Sequence, residues 1–67
     1  MQVTWKEQGD QVIVELQGNF DASTATSVRD AFNSLLGQGH RNFIADMRQV
    51  AFIDSSGLGV LVGVFRK

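Results

Sequence analysis

Phe52-Ile53-Asp54-Ser55-Ser56-Gly57-Leu58-Gly59, running on through Val60-Leu61-Val62-Gly63, decides how this chain is built. A buried run ends in a sharp polar turn, and the first turn of a helix follows. Two hydroxyls stand beside a carboxylate where the chain changes direction. The first turn of a helix leaves backbone N–H groups without intrahelical partners, and their dipoles favour negative charge. Ser55 or Ser56 can cap such a helix, with Asp54 favouring its dipole. A serine there can also carry a phosphate for the free N–H groups to accept. Both readings stand at this level, and the chain is organised around Ser55.

Upstream, Val3-Thr4-Trp5-Lys6-Glu7 alternates apolar and polar residues, the period of a strand with one wet face. Gly9-Asp10 suits a tight hairpin, and Gln11–Gln17 is the second, antiparallel strand, with Val12, Val14 and Leu16 on one face. Gly18-Asn19-Phe20 ends it. Asp21 is placed as the N-cap of a helix over Ala22–Leu36, whose stripe is Ala25, Val28, Ala31, Phe32, Leu35 and Leu36. Gly37 falls where a left-handed C-cap is expected. After the polar loop Gln38-Gly39-His40-Arg41, Asn42–Met47 reads as a strand, parallel to the second through a right-handed crossover. Arg48-Gln49-Val50-Ala51 reads as a connector, with Phe52 and Ile53 anchored in the core. In the second helix Leu58, Leu61, Val62 and Phe65 form the core stripe and Val60 and Val64 flank it. The chain then reaches Arg66-Lys67 without a C-cap. The fold class is α/β, a small layer in the order β-β-α-β-α.

Composition bounds the function. With 67 residues there is room for one domain, marginal by itself because a chain of this size buries only about 60% of its surface. A hydrophobic content of 43% with five Phe and one Trp argues for a folded core. No cysteine is present to make a disulfide or a thiolate zinc site, and the single histidine, His40, makes a histidine metal site improbable. Six basic and seven acidic residues give a net charge of −1, too little field to draw nucleic acid or an anionic membrane. The first residues lack the apolar core of a signal peptide, and no window approaches the ~18 apolar residues of a membrane span. A cytoplasmic location is the default expectation.

Several chemistries fit poorly. A serine nucleophile elbow needs glycine two residues before and two after the nucleophile; Ser55 has Gly57 after it but Ile53 before it. Nothing places His40 near Ser55, so a serine hydrolase is disfavoured. Gly57, Gly59 and Gly63 imitate a dinucleotide fingerprint, but the third glycine comes one residue late and no Lys-Ser or Lys-Thr follows. Glycine inside a helix costs about 1 kcal/mol relative to alanine, so these glycines serve close helix-on-sheet packing or, less favoured, ligand contact. Asp21 and Asp54 each follow a strand and precede a helix, so parallel strands would open both onto one edge of the sheet. That edge is a site candidate, although two carboxylates make a weak Mg²⁺ site. Trp5 reads as half-buried sheet packing rather than a ligand platform.

Gly18-Asn19-Phe20-Asp21 before a Ser/Thr-rich helix, Phe43-Ile44-Ala45-Asp46-Met47, and Phe52 to Leu61 together resemble the STAS family, and more closely its bacterial anti-sigma factor antagonists. The resemblance covers nearly the whole chain. It implies a STAS-like mixed sheet with helices on one face, and a non-enzymatic partner switch needing no cofactor and no metal. The unphosphorylated antagonist binds an anti-sigma factor that is also an ATP-dependent serine kinase, which frees the sigma factor and so regulates transcription. The kinase then phosphorylates the antagonist, and a PP2C-type phosphatase resets it. Carried over by motif, Ser55 is the phosphoacceptor and Asp54 the adjacent acid. Asp21 is the partner-surface acid before the first helix, and Ser56 and Gly57 complete the turn.

The family's domain continues beyond this point with more helix and strand. The resemblance therefore implies a single, partial STAS domain over 1–67, truncated at its C-terminal side. Such a piece is expected to be weakly stable or completed by a second copy as a homodimer. A rival reading within the family is a scaffold subunit of a membrane transporter or lipid-transport complex that needs no phosphorylation.

Overall fold

The computed structural model describes residues 1–66. Three strands and two helices follow one another as β1 (Gln2–Gln8), β2 (Gln11–Phe20), α1 (Ala25–Gly37), β3 (Asn42–Ile53) and α2 (Ser55–Phe65). The sheet order is β1-β2-β3, with β1 antiparallel and β3 parallel to β2. The hairpin turns at Gly9, whose φ of 64° lies in the left-handed region that glycine enters without steric cost. This is the α/β layer that the alternation and the helical stripe predict.

The alternation of β2 sets the core. Val12, Val14 and Leu16 point to one face and are fully buried there with Phe20. Val28, Phe32 and Leu35 of α1 and Val64 of α2 close over that face in one cluster. Burying each such side chain is worth about 1.5–3 kcal/mol, which is what holds a chain this short together. Phe32 meets Phe43 and Phe65 edge-on, with ring centroids 5.6 and 6.1 Å apart. Trp5 pairs with Val14 across the hairpin and is half exposed near the sheet margin.

Four expectations are corrected. First, Arg48–Ala51 is not a connector but part of β3, which continues to Ile53. The register shifts where Glu15 pairs with Asp46 while Gln17 pairs with Gln49. An extra residue in the strand breaks the simple alternation while pairing resumes beyond it. There the Asp46 carboxylate clamps Arg48, accepting from its backbone N–H at 3.1 Å and from Nε and Nη2 at 3.0 and 2.8 Å. These bonds hold the Asp46 carboxyl below its usual range. β3 lies at the margin of the sheet.

Second, Phe52 and Ile53 do not anchor in the core; they stay 53% and 39% exposed because β3 has a neighbour on one side only. Third, the core line of α2 is rotated. Gly57 and Val64 are buried and Val60 and Leu61 pack on the core, while Leu58, Val62 and Phe65 stand about half exposed. A helix apolar all round offers no polar face to fix its orientation, so contact with Phe20 decides it. Fourth, Gly37 is the last residue of α1 and Gln38 is the C-cap, in right-handed geometry. The left-handed glycine comes two residues later, at Gly39, with φ 99°. At the end of α2, Arg66 takes the C-cap position, its N–H bonding the carbonyls of Val62 and Val64. Lys67, the other residue of the expected uncapped end, lies outside the described residues.

Candidate functional site

The parallel pairing of β2 and β3 builds the site. Phe20 and Ile53 are partners at the ends of the two strands, so the residues that follow them, Asp21 and Asp54, leave the sheet at the same edge. Adjacent strands lie about 4.8 Å apart, which keeps the two exits together. The backbone N–H of Asp54 donates to the carbonyl of Phe20 at 3.2 Å and ties them directly. The edge shared by the two acids is therefore present, and Ser55, Ser56 and Gly57 rise from it as the first turn of α2.

Asp54 is the N-cap of that helix. Its backbone is extended, at φ −112° and ψ −172°, and its Oδ1 accepts from the N–H groups of Ser56 and Gly57 at 2.9 and 3.1 Å. Its carbonyl accepts the first intrahelical bond, from Leu58 N–H at 3.0 Å. The expectation that Ser55 or Ser56 caps the helix is overturned. A cap must stand one residue outside the helical backbone and reach inward, and Ser55 is already helical. Both serines are exposed. Among the described residues neither hydroxyl has a hydrogen bond within the chain, in contrast to those of Ser23 and Thr24.

Asp21 takes a role other than the expected cap. α1 starts later than the stripe suggests, with Thr24 at the N-cap position and no side-chain capping bond. Asp21 instead folds the four residues before the helix into a turn. Its Oδ1 accepts from Ser23 N–H at 3.0 Å and from Ser23 Oγ at 2.6 Å. Its carbonyl accepts from the N–H groups of Thr24 and Ala25 at 3.1 and 2.8 Å. The Ser23 hydroxyl is the main cause that holds the Asp21 carboxyl below the usual range, with a smaller opposing effect from burial. Thr24 locks the turn to the strand end: its hydroxyl donates to the carbonyl of Asn19 at 2.8 Å and accepts from Asp21 N–H at 3.0 Å. Ser23 and Thr24 escaped the sequence reading. The signal for them was an aspartate with hydroxyl residues two and three positions on, the pattern of an Asx turn.

Gly57 explains how the site stays in register with the sheet. A Cβ there would lie 2.6 Å from the carbonyl oxygen of Phe20 and 2.8 and 2.9 Å from its ring carbons Cδ1 and Cγ. Only glycine lets α2 approach the end of β2 this closely. The packing reading therefore holds for Gly57 and fails for Gly59 and Gly63, where a Cβ would meet nothing within 4 Å. Those two face a shallow groove between the helices, bordered by Arg29 and Asn33 of α1 and by Ser56, Val60 and Val64.

The site offers little to a cation. Each carboxylate spends its Oδ1 on its own turn, and among the described residues no group of three or more His, Cys, Asp or Glu comes together. His40 lies at the far end of the sheet, just before β3, with Nε2 3.1 Å from Glu7. The 12 residues of β3, at about 3.3 Å each, separate it from Ser55. No helix among the described residues is long and apolar enough to cross a membrane.

A three-stranded mixed sheet with two helices in the order β-β-α-β-α matches the fold of the STAS domain. The sequence pattern of that domain matches residues 2–67, and the chain belongs to the STAS family. A STAS-domain containing protein of Pseudomonas aeruginosa (strain UCBPP-PA14) is 32% identical over 54 residues, covering 81% of this chain and 52% of that protein. The anti-sigma factor antagonist SpoIIAA in its unphosphorylated form superposes with a TM-score of 0.78 at 24% identity, over 97% of this chain and 61% of that one. Its phosphorylated form gives 0.76 at 24% identity, over 97% and 60%. An anti-sigma factor antagonist from Mycobacterium paratuberculosis gives 0.91 at 21% identity, over 98% and 56%. These likenesses establish the fold. The chain spans between half and two thirds of the length of each of these relatives.

Proposed function

We propose that this chain is an anti-sigma factor antagonist module: a protein that binds rather than catalyses, switched by phosphorylation of Ser55. The observation that carries the reading is the state of that hydroxyl. Ser55 is exposed at the first position of α2, its oxygen has no hydrogen bond among the described residues, and the Asp54 cap and Gly57 contact hold its backbone in place. A hydroxyl that is fixed in position yet chemically unengaged suits a kinase substrate. The fold of SpoIIAA, known both unphosphorylated and phosphorylated, supports the reading.

The partner is an anti-sigma factor that is also a serine kinase, and it docks on the edge formed by Asp21, Asp54, Ser55, Ser56 and Gly57 in the cytoplasm. A phosphate adds about −1.5 to −2 charge at neutral pH. Placed next to Asp54 and near Asp21, it repels an acidic or closely packed partner surface. Release then needs local electrostatics and no change of fold. A PP2C-type phosphatase restores the binding form.

Incubation with the cognate kinase and ATP should add one phosphate to the wild type and none to Ser55→Ala. In a pull-down from the source cell, wild type and Ser55→Ala should retain a partner that Ser55→Asp loses. Phosphate on another residue would refute the assignment. Recovery of membrane transporter subunits, equal for all three proteins, would support the scaffold reading in its place.

A further inference from the structure

We infer that Asp54 is a positioning residue that closes the end of α2 to a phosphate on Ser55, so that the added charge stays out at the docking surface. The inference rests on Ser55 being the phosphoacceptor. An open helix N-terminus is a ready anion site, and a phosphate folded onto it would have part of its charge offset by the roughly +0.5 of the helix end. Here two of its amides, those of Ser56 and Gly57, are already taken, which leaves the phosphate the N–H of Ser55 itself. One oxygen of Asp54 accepts from both Ser56 and Gly57 N–H, and the Asp54 carbonyl accepts from Leu58 N–H. To reach those amides the phosphate would have to eject the carboxylate and leave it stranded beside a dianion. Among the described residues the charged groups around this point are Asp54 itself, Asp21 at the neighbouring strand exit, and Arg29 across the groove beside Ser56. Asp21 is occupied by its own turn, and Arg29 leans toward Asp30, 3.7 Å away. The switch therefore presents its new charge to the partner with the amides of Ser56 and Gly57 withheld from it, and the cap is what withholds them.

The 67-residue chain is short enough to be synthesised with phosphoserine at position 55, so no kinase is required. Three chains are compared by NMR titration: wild type, Asp54→Asn, which retains a capping oxygen without charge, and Asp54→Ala, which has no cap. The ³¹P midpoint of the second ionisation, about 6 for a free phosphoserine, should be highest in wild type. It should drop by roughly half a pH unit in Asp54→Asn as a nearby like charge is removed. It should be lowest in Asp54→Ala, where the phosphate gains the amides. Arg29 and Asp21 are common to all three and cancel from the differences. The amide protons of Ser56 and Gly57 should stay still through the phosphate titration in wild type and move downfield with it in Asp54→Ala. If those two wild-type amides follow the phosphate, Asp54 has been displaced and the inference is overturned. That comparison survives even if Asp54→Ala does not fold. Failure of the kinase assay on Ser55 would sink the function and leave this measurement intact.

Discussion

Three glycines within seven residues of α2 should respond to the same substitution with opposite signs. Replacing a helical glycine by alanine removes backbone freedom from the unfolded chain and favours the helix by about 1 kcal/mol where nothing stands in the way. At Gly59 and Gly63 nothing does, because a Cβ there finds no atom within 4 Å. Each alanine should stabilise by about 0.5–1 kcal/mol, or some 2–8 °C in Tm for a domain this small. At Gly57 the new methyl would sit 2.6 Å from a backbone carbonyl, that of Phe20, which also accepts the N–H of Asp54. Backbone cannot swing aside as a flexible side chain would. Either α2 lifts off the core or Phe20 shifts, at the ~1–3 kcal/mol typical of overpacking. Loss of the Asp54–Phe20 bond would add about 0.5–1.5 kcal/mol. Set against the helix gain, Gly57→Ala should destabilise by roughly 1–3 kcal/mol. Urea unfolding followed by Trp5 fluorescence and by far-UV circular dichroism, with all four proteins at one concentration, measures the midpoints. Equal or higher stability for Gly57→Ala, or a shared sign across all three sites, would show that α2 is not pinned at Phe20.

Asp54→Ala should cost about 1 kcal/mol through loss of the cap while Asp54→Asn stays within a few tenths, read from the same unfolding curves. The Asp21 carboxyl, held below 3.8 chiefly by the Ser23 hydroxyl, should move up in Ser23→Ala when followed by ¹³C NMR. The sign follows from the depressed folded value: that contact contributes stability in full above the unfolded pKa near 3.8 and loses it as pH falls through the lower folded value. Phe52→Ser should change stability by no more than about 0.5 kcal/mol, whereas Phe32→Ala should cost about 3–5 kcal/mol, because the first side chain is half exposed and the second fully buried. The half-exposed apolar line Leu58, Val62 and Phe65 should make self-association measurable, with sedimentation mass and Tm both rising with protein concentration. A monomer mass independent of concentration would show that this apolar line does not drive association.

The elements legible in the sequence are those with one wet and one dry side. Val12, Val14 and Leu16 alternate, and Val28, Phe32 and Leu35 recur at helical spacing, so β2 and α1 announced both their type and their buried face. The parallel edge followed from their order, and with it the meeting of Asp21 and Asp54. What could not be read was decided by contacts between segments distant in sequence. β3 hides its second half behind two register shifts, and each extra residue inverts the alternation that would have revealed it. α2 is apolar on every side, so periodicity could not say that Gly57 and Val64 face inward while Leu58 and Val62 stand half exposed. The division of labour between Asp54 and its two serines turned on a single residue of offset at the helix start. That offset depends on the pairing of Phe20 with Ile53, 33 positions apart.

The clamp of Asp46 on Arg48 bears on what becomes of this protein when it is crowded. An unguarded marginal strand of 12 residues invites other chains to add to it, and stacked copies can grow into fibrils. In the middle of β3 one backbone donor is tied up by a neighbouring carboxylate, the Arg48 cation projects, and the spacing of the chain is thrown off by one. An incoming strand would find its docking rungs interrupted halfway along. Neutralising Asp46 should therefore leave the molecule folded but turn its open side into a seed for polymerisation, visible as a shortened lag in thioflavin fluorescence.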